Sequence, residues 1–263
     1  MKLKSYLIMA ACLTVALPHY LWAKPLRIMS LDMCADQYVL ALVPHDQILG
    51  VSFRAKTGDS YYRDRAQDLR PIAPDLETVL ALKPDIIVRE WGGDFALIHQ
   101  LKNHGVKIIQ INMINDLAEA KNEMIRVGNA LDQSQSSLRE SQRFNKALAD
   151  YKPWGQGRHL LYYTPSGFST GAKSYVGKLI MTMGFKLVGG DKGYYDLSPE
   201  AFIQQRPDLY ALGFFDDAYN MGRVEGRLLP IQQRIDKTPH FVLPRPSLSC
   251  QAWYNLYQLP QHL

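Results

Sequence analysis

The 263-residue sequence lacks most of the features that announce an enzyme or a nucleic-acid-binding protein. It has no P-loop, and no G-x-G-x-x-G follows a strand-like segment, so the common phosphate-cradling turns are excluded. The histidines at 45, 99, 104, 159 and 240 form no H-x-H or i, i+4 pair, which gives no reason to read any of them as a metal ligand. Cysteine is scarce, and neither Cys34 nor Cys250 has a histidine or a second cysteine within a few positions, so a metal site there is disfavoured. Low-complexity runs and charge blocks that would mark a disordered tail are absent. The net charge is small: +5 overall, falling to +3 when Lys2 and Lys4 are left out, too little to argue for nucleic acid.

Residues 1–23 read as an export signal. Lys2 and Lys4 supply the positive start, Leu7 to Leu17 the apolar run, and Leu21-Trp22-Ala23 a cleavage site. Pro18 and His19 break the run before it reaches the ~20 apolar residues of a membrane span. Export implies an oxidising compartment, where the isolated pair Cys34 and Cys250 is either a disulfide or two buried thiols. Spacing alone leaves both open.

What is present is a repeated unit. Asp75 to Val88 contains Glu77 at the start of a short apolar helix, then Lys83-Pro84-Asp85, then a strand; Leu197 to Leu209 repeats the arrangement with Glu200 and Arg206-Pro207-Asp208. A carboxylate in the first turn complements the helix dipole, and proline ends the helix. Around each copy, Val- and Ile-rich strands alternate with helices: strands at Leu26 to Leu31, Ile48 to Phe53, Asp85 to Val88 and Val106 to Ile111, and again from His159 to Tyr163 onward. Such alternation predicts parallel sheets whose ligand crevice lies at the carboxyl ends of the strands. Between the copies, Leu117 to Tyr151 is proline-free with helical apolar spacing, either one long helix or two, since Gly128 and the polar run Asp132 to Ser137 could mark a bend. Ser249 to Leu259 reads as a C-terminal helix. The expected organisation is a signal at 1–23, an N-terminal α/β lobe at 24–115, a linking helix at 116–152 and a C-terminal α/β lobe at 153–263.

The loops after the strands are aromatic and cationic, through Arg54, Lys56, Tyr61, Tyr62 and Arg63, then Arg89, Glu90 and Trp91, then Phe168, Tyr194-Tyr195 and Arg245. Aromatic faces with a few cations suit a large, ring-bearing, partly anionic ligand. A rival reading comes from Gly167-Phe168-Ser169-Thr170-Gly171, which matches the nucleophile elbow of serine hydrolases and is followed by Asp216 or Asp217 and His240 in the right order. Against it, Thr164-Pro165-Ser166 separates the motif from its strand, and no His-Gly oxyanion run precedes it.

Arg27-Ile28-Met29-Ser30-Leu31, Cys34-Ala35-Asp36-Gln37, Glu77 to Pro84-Asp85, Gly105-Val106, Thr164 to Gly171 and Glu200 to Pro207-Asp208 together resemble one family: the periplasmic substrate-binding proteins of ABC importers for iron chelates, haem and vitamin B12. The resemblance spans the mature chain and implies two Rossmann-like lobes with parallel sheets, joined by a long rigid α-helix, with no catalytic activity, no resident cofactor and no metal site of its own. It implies a monomer that captures a ferric siderophore, haem or cobalamin and delivers it to a permease dimer. Arg54, Tyr61, Tyr62, Trp91, Phe168, Tyr195 and Arg245 would face the ligand, while Glu77 and Glu200 would meet the permease. The branch with Cys-x-Asp-Gln pairs that cysteine with one near the C-terminus, which favours a Cys34–Cys250 disulfide. Gln251-Ala252 replaces the glycines that this branch carries after the second cysteine.

Overall fold

The computed structural model describes residues 24–90, 92–215 and 225–262; the export signal expected at 1–23, Trp91, Asp216 and Asp217 lie outside them. In the first lobe β1 (Ile28–Ser30), β2 (Ile48–Gly50), β3 (Ile86–Arg89) and β4 (Lys107–Gln110) form a parallel sheet in the order β2-β1-β3-β4. Helices α1 (Met33–Leu42), α2 (Leu76–Ala81) and α3 (Phe95–Asn103) connect them. The second lobe holds β5 (His159–Tyr163), β6 (Phe168–Thr170), α6 (Tyr175–Thr182), β7 (Lys186–Leu187), β8 (Tyr194–Asp196), α7 (Pro199–Gln204), β9 (Leu209–Gly213), α8 (Leu229–Asp236), β10 (His240–Leu243) and α9 (Arg245–Ser249). Its parallel sheet runs β7-β5-β9-β10, the same order as the first when the strands are matched in sequence.

The repeated unit closes the same way in both lobes. Asp75 caps α2 by accepting from the Thr78 N–H, and Ser198 caps α7 by accepting from the Ala201 N–H. Each Pro-Asp turn is then pinned to the first strand of its sheet. Asp85 Oδ2 accepts from the Arg27 N–H at 2.8 Å while the Asp85 N–H donates to the Arg27 carbonyl at 2.9 Å. Asp208 does the same to His159, at 2.6 and 2.8 Å. The aspartate after the proline is therefore a sheet-start clamp, a role the sequence pattern did not reveal.

The linking stretch is two helices, α4 (Leu117–Ala130) and α5 (Ser134–Asp150), not one. Asp132 takes a left-handed φ of 59°, which ends the first helix inside the polar run. The two pack as an antiparallel hairpin: Lys121 Nζ reaches Asn145 Oδ1 at 3.3 Å, and Gly128 lies so close to Ser137 that an added Cβ would sit 2.5 Å from the serine Cβ. Only the 17-residue α5 runs on toward the second lobe. The C-terminal segment also departs from expectation. A single helix from Ser249 to Leu259 is replaced by α9, an extended Cys250 and a 3-10 turn over Trp253–Gln258; the extended Cys250 is the residue bonded to Cys34 of α1.

That segment fuses the lobes. Trp253 and Tyr254 are fully buried in a core running from Met33 and Tyr38 of the first lobe to Tyr175, Leu179 and Phe185 of the second. Tyr38 meets Trp253 edge-on at 4.9 Å, and Tyr61 stacks on Tyr254 at 4.9 Å. Glu140, midway along α5, anchors the cluster: its Oε1 accepts from Trp253 Nε1 at 2.9 Å, the Tyr257 hydroxyl at 3.0 Å and the Tyr62 hydroxyl at 3.4 Å. Glu140→Ala would strand those donors, so we expect a stability loss of about 2–3 kcal/mol, largely recovered in Glu140→Gln, which keeps an acceptor oxygen. Urea unfolding of the two variants checks this; equal losses would show that the carboxylate charge, not acceptor capacity, matters.

Candidate ligand cleft

The carboxyl ends of both sheets face a space between the lobes, and the Cys-x-Asp-Gln motif shapes its first wall. Asp36, fully buried, accepts from the Ser30 hydroxyl at the end of β1 and from both the N–H (2.9 Å) and hydroxyl (2.6 Å) of Ser52 beyond β2. Burial pushes its carboxyl up to about 6 despite those bonds. Gln37 Oε1 accepts from the Tyr61 and Tyr62 N–H groups at 3.0 and 3.2 Å, and its Nε2 donates to Ser60 Oγ at 2.9 Å. The motif thus fixes two strand exits and the loop that carries Arg54, Asp59 and Tyr61.

Asp59 decides what the cleft arginines do. Arg54 Nη2 donates to its Oδ2 at 2.8 Å, and Arg245 of the second lobe donates to its Oδ1 from Nε and Nη2 at 3.0 and 2.6 Å. Burial alone would raise the Asp59 carboxyl, but the two guanidiniums more than offset that and hold it below the ordinary range. Arg54 and Arg245 are therefore brought together on Asp59, a carboxylate the sequence had not singled out.

Beyond them lies a cavity of about 230 Å³ lined from both lobes, by Glu90 and Met113 on one side and Tyr175, Tyr194, Ser247 and Gln251 on the other. A neighbouring hollow of about 190 Å³ in the second lobe is walled by Tyr162, Pro165, Phe168, Tyr194 and Phe214. Phe214 ends β9 with a left-handed φ of 62°, a strained conformation for an aromatic residue of the kind that collects at functional sites.

Phe168 faces this hollow, but Tyr195 does not. β6 and β8 form a two-stranded antiparallel sheet rather than the loops expected, and neighbouring strand residues point to opposite faces. Tyr194 is 54% exposed and lines both cavities, whereas Tyr195 packs on the second-lobe core behind this small sheet. Tyr62 is likewise a packing residue, buried among Trp253, Tyr254 and Glu140. Tyr61 remains partly exposed beside it. The sequence signal that could have found Tyr194 is the alternation itself, once Phe168-Ser169-Thr170 is paired with Tyr194-Tyr195-Asp196.

The small sheet also removes the hydrolase reading. Ser169 is fully buried inside β6, and its hydroxyl donates to the Tyr162 carbonyl at 2.7 Å. A nucleophile elbow requires a serine exposed at a strand-to-helix turn, and this one is neither exposed nor at a turn. His240 opens β10 as an exposed residue whose ring lies 3.0 Å from the Thr238 carbonyl.

Glu77 and Glu200 are both exposed and both occupy the second position of a six-residue helix. A helix that turns straight into a parallel strand runs back along it, so its start lies at the strand's carboxyl end, where the cleft opens. Pro74, just ahead of α2, lines the first-lobe hollow shared by Asp32, Arg89 and Glu90.

No protein-family model and no curated protein matches the sequence. Solved structures do match in three dimensions. The periplasmic haem-binding protein HutB of Vibrio cholerae superposes with a TM-score of 0.71 at 15% identity, over 89% of this chain and 96% of its own. A periplasmic haem-binding protein of Pseudomonas aeruginosa gives 0.61 at 18%, over 89% and 93%. The periplasmic vitamin B12-binding protein BtuF of Vibrio cholerae gives 0.62 at 16%, over 89% and 94%. With its two sheets of equal strand order, its bridging helix and its cleft at the strand ends, the chain has the two-lobed fold of these periplasmic binding proteins.

Proposed function

We propose that the protein is exported to the periplasm, captures a metal chelate (a ferric siderophore, haem or cobalamin) in the cleft between its lobes, and hands it to the permease dimer of an ABC importer. The observation that carries this reading is the cavity lined from both lobes at the carboxyl ends of two equally ordered parallel sheets. That is where open α/β sheets bind ligands; Tyr175 and Tyr194 stand in its wall beside polar groups, and the neighbouring second-lobe hollow is aromatic. A binding role, not a catalytic one, fits the fold and the buried, hydrogen-bonded Ser169.

In this reading Arg54, Tyr61, Trp91, Phe168 and Arg245 contact the ligand, Tyr194 replaces Tyr195, and Tyr62 supports the wall from behind. Glu77 and Glu200 meet the permease. The shared core and the Cys34–Cys250 bond hold the lobes close, so the protein acts as a monomer with a small hinge motion and a largely preformed cleft. The test is the visible spectrum, with metal analysis, of protein purified from its native periplasm. A chelate band with stoichiometric metal is expected; colourless, metal-free protein that takes up no chelate on titration would overturn the reading.

A further inference from the structure

The cavity between the lobes has an unmatched charge in its wall. Glu90 follows directly on β3, and its N–H donates to Asp32 Oδ2 at 2.7 Å. Its half-buried carboxylate, however, has no hydrogen bond or ion pair among the described residues. Burial raises its pKa, and the charge of Asp32 adds to that; no neighbouring cation offsets either effect. Asp32 itself is raised by burial. Three hydroxyls of the cavity wall are already committed: Tyr175 donates to the Ala252 carbonyl at 2.7 Å, Ser247 to the Pro244 carbonyl at 2.6 Å and Ser249 to the Arg245 carbonyl at 2.9 Å. The acceptor is open, and none of the described residues donates to it.

The cations around the cleft tell the same story. Arg54 and Arg245 are held by Asp59, and Arg89 turns its Nε to the Glu90 carbonyl at 2.8 Å with its guanidinium over the Phe95 ring at 5.7 Å. A polyanionic ligand would meet Glu90 and Asp32 and would have to compete with Asp59 for its arginines. A ligand presenting N–H groups would instead complete the Glu90 carboxylate with charge-assisted hydrogen bonds, roughly twice as strong as neutral ones.

We propose that Glu90 selects the ligand: the cleft takes a chelate that carries no net negative charge and points amide or ammonium N–H donors at the Glu90 carboxylate, and it rejects polyanionic chelates. This rests on the chelate-capture reading above and narrows it. The attractive and repulsive contributions come from one residue, which is an economical way to separate two ligands of similar size.

Three probes and three proteins test it. Cyanocobalamin is uncharged overall and rich in amides, ferrioxamine B is a cationic hydroxamate chelate, and haemin carries two carboxylates. Titrations of the wild-type mature protein should show one of the first two binding at least about tenfold more tightly than haemin. Glu90→Ala should weaken that preferred probe by about tenfold or more. Glu90→Gln, which keeps the shape and removes the charge, should relax the discrimination against haemin. Because the Glu90 carboxylate has no hydrogen-bond or ion-pair partner among the described residues, neither variant removes such a contact there. A wild-type preference for haemin, or an unchanged preference in Glu90→Ala, would overturn the proposal while leaving chelate capture standing. Failure of the wild-type protein to bind any of the three would instead overturn chelate capture itself.

Discussion

Reversing both tip charges, Glu77→Arg together with Glu200→Arg, is expected to abolish import while leaving chelate affinity in solution within a few-fold of wild type. The expectation follows from where the repeat puts the two carboxylates. Each is the second residue of a short helix with a side-chain cap, each helix is tied through its Pro-Asp turn to the first strand of its lobe, and the strand orders match. Two such units present their glutamates in equivalent settings at the cleft end of the molecule, as a surface with approximate two-fold symmetry would require of a permease dimer. Both side chains are exposed, and Glu200 is held below its ordinary pKa by its own backbone N–H and by Ser198. Exposed charges at a rim steer association and fix register, and reversal turns each attraction into a repulsion. Neither residue lines the inter-lobe cavity, so soluble binding should not notice. Uptake by cells carrying the double variant, set beside titration of the purified protein, separates the outcomes. Normal uptake would refute docking through these carboxylates, and lost ligand affinity would show that they shape the cleft.

The repeat was legible because it is written locally: cap, apolar turn and Pro-Asp lie within fourteen residues, and each part has its own physical signature. The same holds for strands such as His159–Tyr163 and for the capping aspartates. The site was less legible because its decisive contacts are distant in sequence. Asp59 and Arg245 are separated by 186 residues, and nothing near either one says that they pair. Tyr194 and Tyr195 are adjacent and chemically identical, so only strand pairing with Phe168–Thr170 decides which faces the cavities. Glu90 was visible as a cleft-side residue, but its significance is that it has no partner, which a sequence does not show. The break between α4 and α5 was foreshadowed by Gly128 and the polar run, yet the hairpin they form depends on Ser137 packing against that glycine.

Removing the disulfide should be the most damaging change to stability. Cys34 and Cys250 lie 216 residues apart, with Cα atoms at 5.6 Å. In the chain-entropy account, closing so long a loop stabilises the folded state by about 5 kcal/mol, and typical measured values are nearer 2–4 kcal/mol. The lower part of that range applies to the folding of each lobe, because the shared core already brings the ends together. The bond does more at the junction, since it ties the start of α1 to the segment that supplies Cys250 and Gln251 to the cavity wall. We therefore expect Cys34→Ser with Cys250→Ser to lower the melting temperature by about 4–8 °C, at 2–4 °C for each kcal/mol in a chain of this size. Chelate affinity should fall as well, because the extended 250–252 segment would lose its anchor and with it the placement of Trp253 and Tyr254. Reductant added to the wild-type protein should reproduce both effects and have none on the double variant. A melting temperature that neither treatment moves would show that the aromatic core alone holds the C-terminal segment, and that the cysteines serve something other than stability.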